Sequence, residues 1–566
     1  MIVPATYLLK LMSHSSKIFE EQPIRVQNLN GFDLSHLSSG TAYTGTLTPV
    51  LSRLLMMGTK FSLGCALQVE LPPLATQAFG RIDAHIEVFW TPCSILYGGW
   101  KQFIANNPET SFILSQANYE QYDLPVFNFG GGSSGIYGTV SGLDAINYSL
   151  LDYLGMQAKV SQFSGTTRNF KLLSLLNYHF VWDVFYRNPQ VTRTIFAVNP
   201  DINGPGFSHN VAFIHHSYYS TLVANSSPVF NLDADCTFPD GISVFSLRQR
   251  NYSNDYFTAG SLRPQSVNAP AAAAFTVDLN TGDGQVDIAQ IRTINSLEKF
   301  YEAANYDPTY RGIMKANFGF EPSDAGYDEP IYLGRLVVPV YQKGVYTTSS
   351  YTPSGDNVGR NPFFNNTRGV IPGTKVASGS FNGSGEICSN FKCKSWGYLL
   401  GLFSLVPHAQ YSYGIDKDFL RIEVGQHPFP LLQSVGMDSV KQCEVFATSA
   451  NISADTDFSY IPRYSYDKFI NDTVHGELRP GKSLESFIIQ RHFASAPSFN
   501  TAFLEIGIGD LDSLFALDSS LMNLSCWYEC FWVFKAVMPL AEFCVPTLGE
   551  LPDSHTIKIK QGGSRL

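Results

Sequence analysis

Between Arg81 and Trp90 the chain alternates almost without interruption. Ile82, Ala84, Ile86, Val88 and Trp90 fall between Arg81, Asp83, His85 and Glu87. A period of two belongs to a β-strand and places the apolar set on one core-facing side. Cys526 to Ala536 repeats the pattern, with Cys526, Tyr528, Cys530, Trp532 and Phe534 on one face and Glu529 and Lys535 on the other. Tyr398 to Val406 is instead a continuous apolar run of strand length, suited to a strand covered on both sides. Further strands are predicted over Lys60–Leu71, Ile331–Tyr341, Phe419–Val424, Glu444–Ile452 and Ser486–Phe493.

Helical signals are few. Leu297, Phe300, Tyr301 and Ala304 keep helical spacing behind an Asn295/Glu298 capping box. A second helix is predicted from Asp307 and Pro308 to Gly319, and a third over Ser174–Arg187. Composition agrees: 42 Phe and 29 Tyr together outnumber 38 Lys plus Arg, and only 15% of residues are charged, which excludes coiled coils and helical solenoids. Strands at both ends and a long irregular middle predict an all-β sandwich carrying very long, partly helical loops. The polar loop blocks are Asn128–Gly142, Phe196–Asp240, Gln265–Gln290 and Ser349–Ser389. Loops of that length need something to order them, and neighbouring copies of the same chain are the obvious candidate.

The net charge is −10. Phosphate neutralisation supplies most non-specific nucleic-acid affinity, so any such contact here is local or carried by a separate basic partner. Basic clusters are thin: Arg248 with Arg250, Lys392 with Lys394, and Lys558, Lys560 and Arg565 in the tail. That tail is either a solvated end or a phosphate-contacting one. The nine cysteines are odd in number and widely spread, and read as reduced, partly buried thiols. Cys388/Cys393 and Cys526/Cys530 lack the spacing of a common zinc knuckle.

Motifs that carry chemistry are weak. Gly131–Gly135 fits G-x-S-x-G, but it sits in a Gly/Ser-rich run with no helix directly after it and reads as a loop. Asp278, Asn280, Asp283 and Asp287 miss the EF-hand order and read as a hairpin tip. Adjacent His215 and His216 would point to opposite faces of a strand. No P-loop and no G-x-G-x-x-G occurs, and no cofactor or metal site is expected. Met1 to Lys17 does not read as a signal peptide, and Met12 is an alternative start. The longest apolar run, Tyr398–Pro407, is too short to span a bilayer, so a soluble protein without an export address is expected.

Seven short segments, in order, give the chain a family likeness. They are Phe32–His36; Phe89–Pro92 with Ile95–Tyr97 and Trp100–Phe103; and Asn177-Tyr178 with Trp182 and Phe185–Asn188. There follow Asp255–Thr258 with Leu262 and Pro264-Gln265, and Asn317–Gly319 with Ser323-Asp324 and Pro330–Gly334. Tyr460–Tyr464 with Val474–Gly476, and Lys535–Pro539, complete the series. Together they resemble the major capsid proteins of Microviridae, particularly the gokushovirus branch.

The resemblance implies an eight-stranded antiparallel jelly roll with long insertions. It implies a structural protein without enzymatic activity that self-assembles through pentamers into a T=1 icosahedral virion shell around circular single-stranded DNA. Partners implied are further copies of the chain, a small basic packaging protein, an internal scaffolding protein and a host receptor, with assembly in the host cytoplasm and no membrane insertion. The expected layout is an N-terminal arm over 1–31, one capsid domain over 32–550, and a flexible basic tail over 551–566. Residues 191–247 and 266–290 are its candidate surface insertions, and Lys558, Lys560 and Arg565 its candidate DNA contacts.

Ile82, Ala84, Ile86 and Val88 are expected to line one inner sandwich face, with Tyr528, Trp532 and Phe534 on a sheet edge or the opposing face. Two rival readings stand beside the shell. One is a jelly-roll glycan-binding or host-attachment protein of a phage. The other is a β-sandwich hydrolase using carboxylates such as Asp183 and Glu298.

Overall fold

The computed structural model describes residues 29–72, 79–96, 100–105, 126–128, 149–156, 170–192, 229–231, 245–262, 314–315, 318–319, 329–340, 342–347, 375–433, 437–515 and 524–540. Two antiparallel sheets dominate. The first orders β1 (Asn30–Asp33), β17 (Cys526–Met538), β4 (Lys60–Glu70), β11 (Lys375–Lys392) and β10 (Gln342–Thr347), and β2 (His36–Ala42) also pairs with β17. The second orders β3 (Thr48–Leu55), β12 (Gly397–Pro407), β5 (Ile82–Pro92) and β9 (Ile331–Val340). The expected all-β class is therefore the observed one. Strands β1 and β2 lie in turn along one edge of β17, so the first described strands and the last close the same sheet.

Alternation decides how the sheets face each other. Phe61, Leu63, Cys65, Leu67 and Val69 of β4 join Cys526, Tyr528, Cys530, Trp532, Phe534 and Ala536 of β17 on the inner face. Opposite them lie Ile82, Ala84, Ile86, Val88 and Trp90 of β5, with Leu399, Phe403 and Leu405 of β12. The predicted inner face of β5 is thus correct, and the β17 residues occupy the opposing sheet's face. They do not sit at an edge, because β17 is flanked by β4 on one side and by β1 and β2 on the other. The Trp532 indole crosses to the partner sheet at Gly401, where a Cβ would stand 3.0 Å from that of Leu51 and 3.3 Å from the indole.

A third layer explains why β5 and β12 are buried at every position. The helix Leu173–Phe185, predicted over 174–187, lies against the outer face of the second sheet. Its Leu173, Leu176, Tyr178, Val181 and Trp182 pack with Phe89, Leu400 and Leu402. The continuous apolar run of β12 is what a strand between two layers requires. The segment 245–252 straps this helix to the sheet. Tyr178 donates its hydroxyl to the Leu47 carbonyl and accepts the Arg248 N–H, while Trp182 Nε1 donates to the Gln249 carbonyl.

Smaller sheets complete the strand set. β6 (Val126–Asn128) pairs β7 (Phe170–Lys171) and β8 (Val229–Asn231). β13 (Gln410–Tyr411) pairs β16 (Asp472–Thr473), and β14 (Met437–Lys441) pairs β15 (Asp457–Pro462).

Three predicted strands need correction. Residues 419–424 form parts of two 3-10 turns, Lys417–Leu420 and Val424–Gln426. Residues 444–452 fall in two short helices, Gln442–Val445 and Ser449–Ala454; the second is started by Thr448, whose hydroxyl accepts the Asn451 N–H. Residues 486–493 are a 3-10 turn and extended chain with a single bridge, Phe79 to Ile488.

The helix predicted at 295–304 lies outside the described residues. So do Gly131–Gly135, Asp278–Asp287, His215-His216, the tail and insertion 266–290. The helix at 307–319 and insertion 191–247 lie there almost entirely. Seven described cysteines are free thiols, and all but half-buried Cys388 are buried. Burial pushes the thiols of Cys93, Cys393 and Cys526 up to about 12, so they stay protonated core groups. No helix among the described residues is long and apolar enough to cross a membrane.

Candidate functional site: a motif cluster and the face it supports

The strand β5 carries a polar set under the helix layer. Asp83, His85 and Glu87 are all buried. Glu87 accepts the Tyr186 hydroxyl and, at 2.7 Å, Nη1 of Arg250, which also donates to Ser404 Oγ at 3.1 Å. Asp83 accepts Arg81 Nε at 2.9 Å and pairs with His408 Nε2 at 3.0 Å. Burial alone would raise the Asp83 carboxyl, but these two partners outweigh it and hold it below its usual value. Arg248 is buried too, with its guanidinium 4.5 Å from the Trp182 ring centre and Nε on His179. The Arg248/Arg250 pair is therefore an internal brace and no phosphate patch, whereas Lys392 and Lys394 are exposed.

His85 is the unusual member. Burial, reinforced by Arg250 and Arg335 and opposed by Glu87 and Asp83, lowers it to about 4. Its Nδ1 has no hydrogen-bond partner among the described residues. The folded state thus holds a neutral imidazole that the unfolded chain protonates below about 6.5. Stability from this group is complete above that pH and is lost as pH falls toward 4, by about 3 kcal/mol at most. Melting temperature followed from pH 7 to 4.5 is expected to fall less steeply in His85→Gln than in the native chain.

A second set of polar groups joins two of the seven quoted segments. Asp255 Oδ1 accepts the N–H groups of Phe257 and Thr258, each at 2.8 Å, and Oδ2 accepts the Tyr411 hydroxyl at 2.6 Å. Asp255 thereby fixes the turn of Asp255–Thr258 onto β13. The turn delivers Tyr256, whose hydroxyl donates to Glu444 Oε2 at 2.9 Å and accepts Lys417 Nζ at 3.2 Å. Lys417 also reaches Asp438 Oδ2 at 3.0 Å and the Ser439 carbonyl at 3.0 Å. Burial raises the Glu444 carboxyl despite Lys417, the Lys441 N–H and the Tyr256 hydroxyl, which all favour its charged form.

Tyr460–Tyr464 supplies β15 and then a left-handed residue, Tyr464 (φ 61°), that turns the chain into 465–467. In Val474–Gly476, Val474 donates its N–H to Tyr411, and Gly476 takes φ 67°. Segments up to 221 residues apart in the chain therefore meet around Tyr411, Tyr256 and Lys417.

These groups support an exposed face. Asp416 to Gln433 form three 3-10 turns, Lys417–Leu420, Val424–Gln426 and Pro430–Leu432, with no strand among them. Their root is clamped by Lys417 and by Arg421, whose guanidinium makes two bonds to Asp467 at 2.9 and 2.7 Å over the Tyr466 ring. Arg463 adds a bond to the Gly425 carbonyl. Sequence reasoning had no hold on Lys417 or Arg421, because single cations in an apolar stretch carry no motif.

A cleft of about 830 Å³ lies between the end of the long helix, residues 250–260 and residues 461–469. Its arginines are already engaged, Arg250 by Glu87 and Arg187 by Asp183 at 2.9 Å. Asp183, one of the two carboxylates named for a hydrolase, is thus paired with Arg187 just past the end of its helix, and Glu298 lies outside the described residues. Lys558, Lys560 and Arg565 lie outside them as well. Among the described residues no group of three or more His, Cys, Asp or Glu is placed to hold a metal.

A family profile described as Capsid protein (F protein) matches residues 25–360 and 377–546. A search of curated proteins returns no match.

Proposed function

The chain belongs to the capsid protein (F protein) family, and on that premise we propose that it builds a T=1 icosahedral shell around circular single-stranded DNA. It is a structural major capsid protein of a Microviridae phage, a virion component that assembles with copies of itself. The finer reading is a gokushovirus-like phage, an eight-stranded jelly roll and pentamers as the assembly unit, with no enzymatic role. What carries the reading is the extent of the match, over most of a chain whose sheets run from residue 30 to residue 538.

The arrangement of layers supports it. The inner faces of the sandwich are buried, while the outer face of β17, at Trp527, Phe531, Val533 and Val537, and the turns at 416–433 both leave large apolar side chains exposed. A net charge of −10 leaves DNA neutralisation to a small basic partner, with local help from Lys558, Lys560 and Arg565 in the tail. An internal scaffolding protein, a host surface receptor and assembly in the host cytoplasm complete the proposal. Residues 1–31 serve as an arm, and 191–247 and 266–290 as surface insertions of a single capsid domain.

Light scattering on the purified protein tests it. Particles of megadalton mass, icosahedral by cryo-microscopy, are expected. A discrete trimer would point to an attachment protein, and a monomer that hydrolyses a chromogenic glycoside to an enzyme; either result overturns the shell.

A further inference from the structure

We infer that the three-turn arm Asp416–Gln433, with the neighbouring Phe469 and Ile470, is a docking surface that lies against a second copy of this chain. The inference rests on the capsid reading above and names the surface that reading leaves open. Phe419 is 82% exposed, Ile422 88%, Val424 74% and Leu431 94%. Phe469 and Ile470, at 61% and 97%, belong to the turn that Arg421 clamps to the arm through Asp467. At about 150–200 Å² per large apolar residue, these six leave roughly 750–1,000 Å² uncovered. One partner contributes about 800 Å² to a standard protein interface, and scattered surface apolars on a monomer do not reach that in one place.

The arm is held in shape although its large apolar side chains stay mostly exposed to solvent. Gln426 Oε1 accepts the N–H groups of Ile422 at 2.8 Å and Glu423 at 3.0 Å. Asp416 accepts the Asp418 N–H at 2.9 Å, and the buried Lys417 and Arg421 fix the root. Ordering such a segment costs conformational entropy that solvent-facing Phe, Ile and Leu do not repay. A partner that buries them repays it, and the fixed shape lowers the cost of binding.

Charge selects the kind of partner. From Ile422 to Gln433 the only formally charged residue is Glu423. At its root Lys417 and Arg421 are spent on Asp438 and Asp467, and the exposed Lys468 stands beside Phe469. From Ile422 to Gln433 a nucleic acid would find no cation to pair with its phosphates, whereas depletion of charge is the mark of an interface core between proteins.

The test uses the full chain under conditions where the native protein forms particles. Leu431→Asp, Ile422→Asp and their combination are expected to lower particle yield at least about tenfold, the effect of losing about 1.4 kcal/mol at one contact. Both side chains face solvent in the subunit, so its melting temperature should stay at the native value. Particle formation by the combined variant at native yield overturns the inference. A second measurement does not depend on the variants folding: a photoreactive benzoylphenylalanine placed at Leu431 in assembled particles. Covalent dimers of this chain support the arm contact. Crosslinks only within one chain, to DNA or to a different protein overturn it. If the native chain forms no particles at all, the capsid reading itself has failed, which is a result separate from that of either arm experiment.

Discussion

Replacing Ile86 with aspartate is expected to leave no assembled particles and little soluble subunit. Ile86 is fully buried on the inner face of β5, opposite the face formed by β4 and β17. It pairs with Phe403 of β12 on one side and Leu336 of β9 on the other, and its side chain points into the inner face, away from solvent. The substitution removes the apolar side chain from a packed layer and puts an unpaired charge in its place, at a cost of roughly 3 kcal/mol or more. A domain's whole stability is about 5–15 kcal/mol, so the loss reaches into the margin that keeps the subunit folded. Ile86→Val, which deletes one methyl group, should cost only about 1 kcal/mol and still assemble. Thermal melting and particle yield read both variants. Particles from Ile86→Asp at native yield would mean that the two sheets do not face each other across this strand.

That expectation was legible in the sequence because alternation is a local property. From Ile82 to Trp90, and again from Cys526 to Ala536, the apolar register alone names the inner face, and both assignments hold. The unbroken run at Tyr398–Val406 likewise announces a strand with no solvent side, as the helix layer then explains. The failures share a physical cause. At Phe419–Val424 apolar residues read as buried strand are turned outward, because the arm is shaped by buried Lys417 and Arg421 and not by its own apolar side chains. At Glu444–Ile452 apolar content outweighed a signal that was present, the Thr448/Asn451 cap of a short helix. The polar face of β5 gave no hint of its depth, since its partners Tyr186, Arg250 and His408 come from 99 to 325 residues away. The motifs shared with the capsid family were found as words. Only the fold shows that Asp255, Tyr256, Ile461 and Val474 form one support for the exposed arm.

The same buried layer sets the second large effect. Glu87→Ala is expected to destabilise the subunit by about 3–5 kcal/mol, the range seen when one member of a buried ion pair is removed. The change strands two groups at once. Arg250 keeps Ser404 Oγ of β12 and the face of the Tyr186 ring but loses its carboxylate, and the Tyr186 hydroxyl loses its acceptor. The guanidinium would then face His85, which its charge already helps to hold neutral. Glu87→Gln retains an acceptor for Tyr186 but not the charge, and should fall between Glu87→Ala and the native chain. Removing both charges separates the cost of an unpaired cation from the net worth of the pair. If the loss comes chiefly from stranding Arg250, then Glu87→Leu combined with Arg250→Leu should recover most of the stability that Glu87→Ala gives up. Chemical denaturation of the four proteins measures this directly. A double variant less stable than Glu87→Ala would show that the pair stabilises the layer in its own right, and that the strap at 245–252 depends on it.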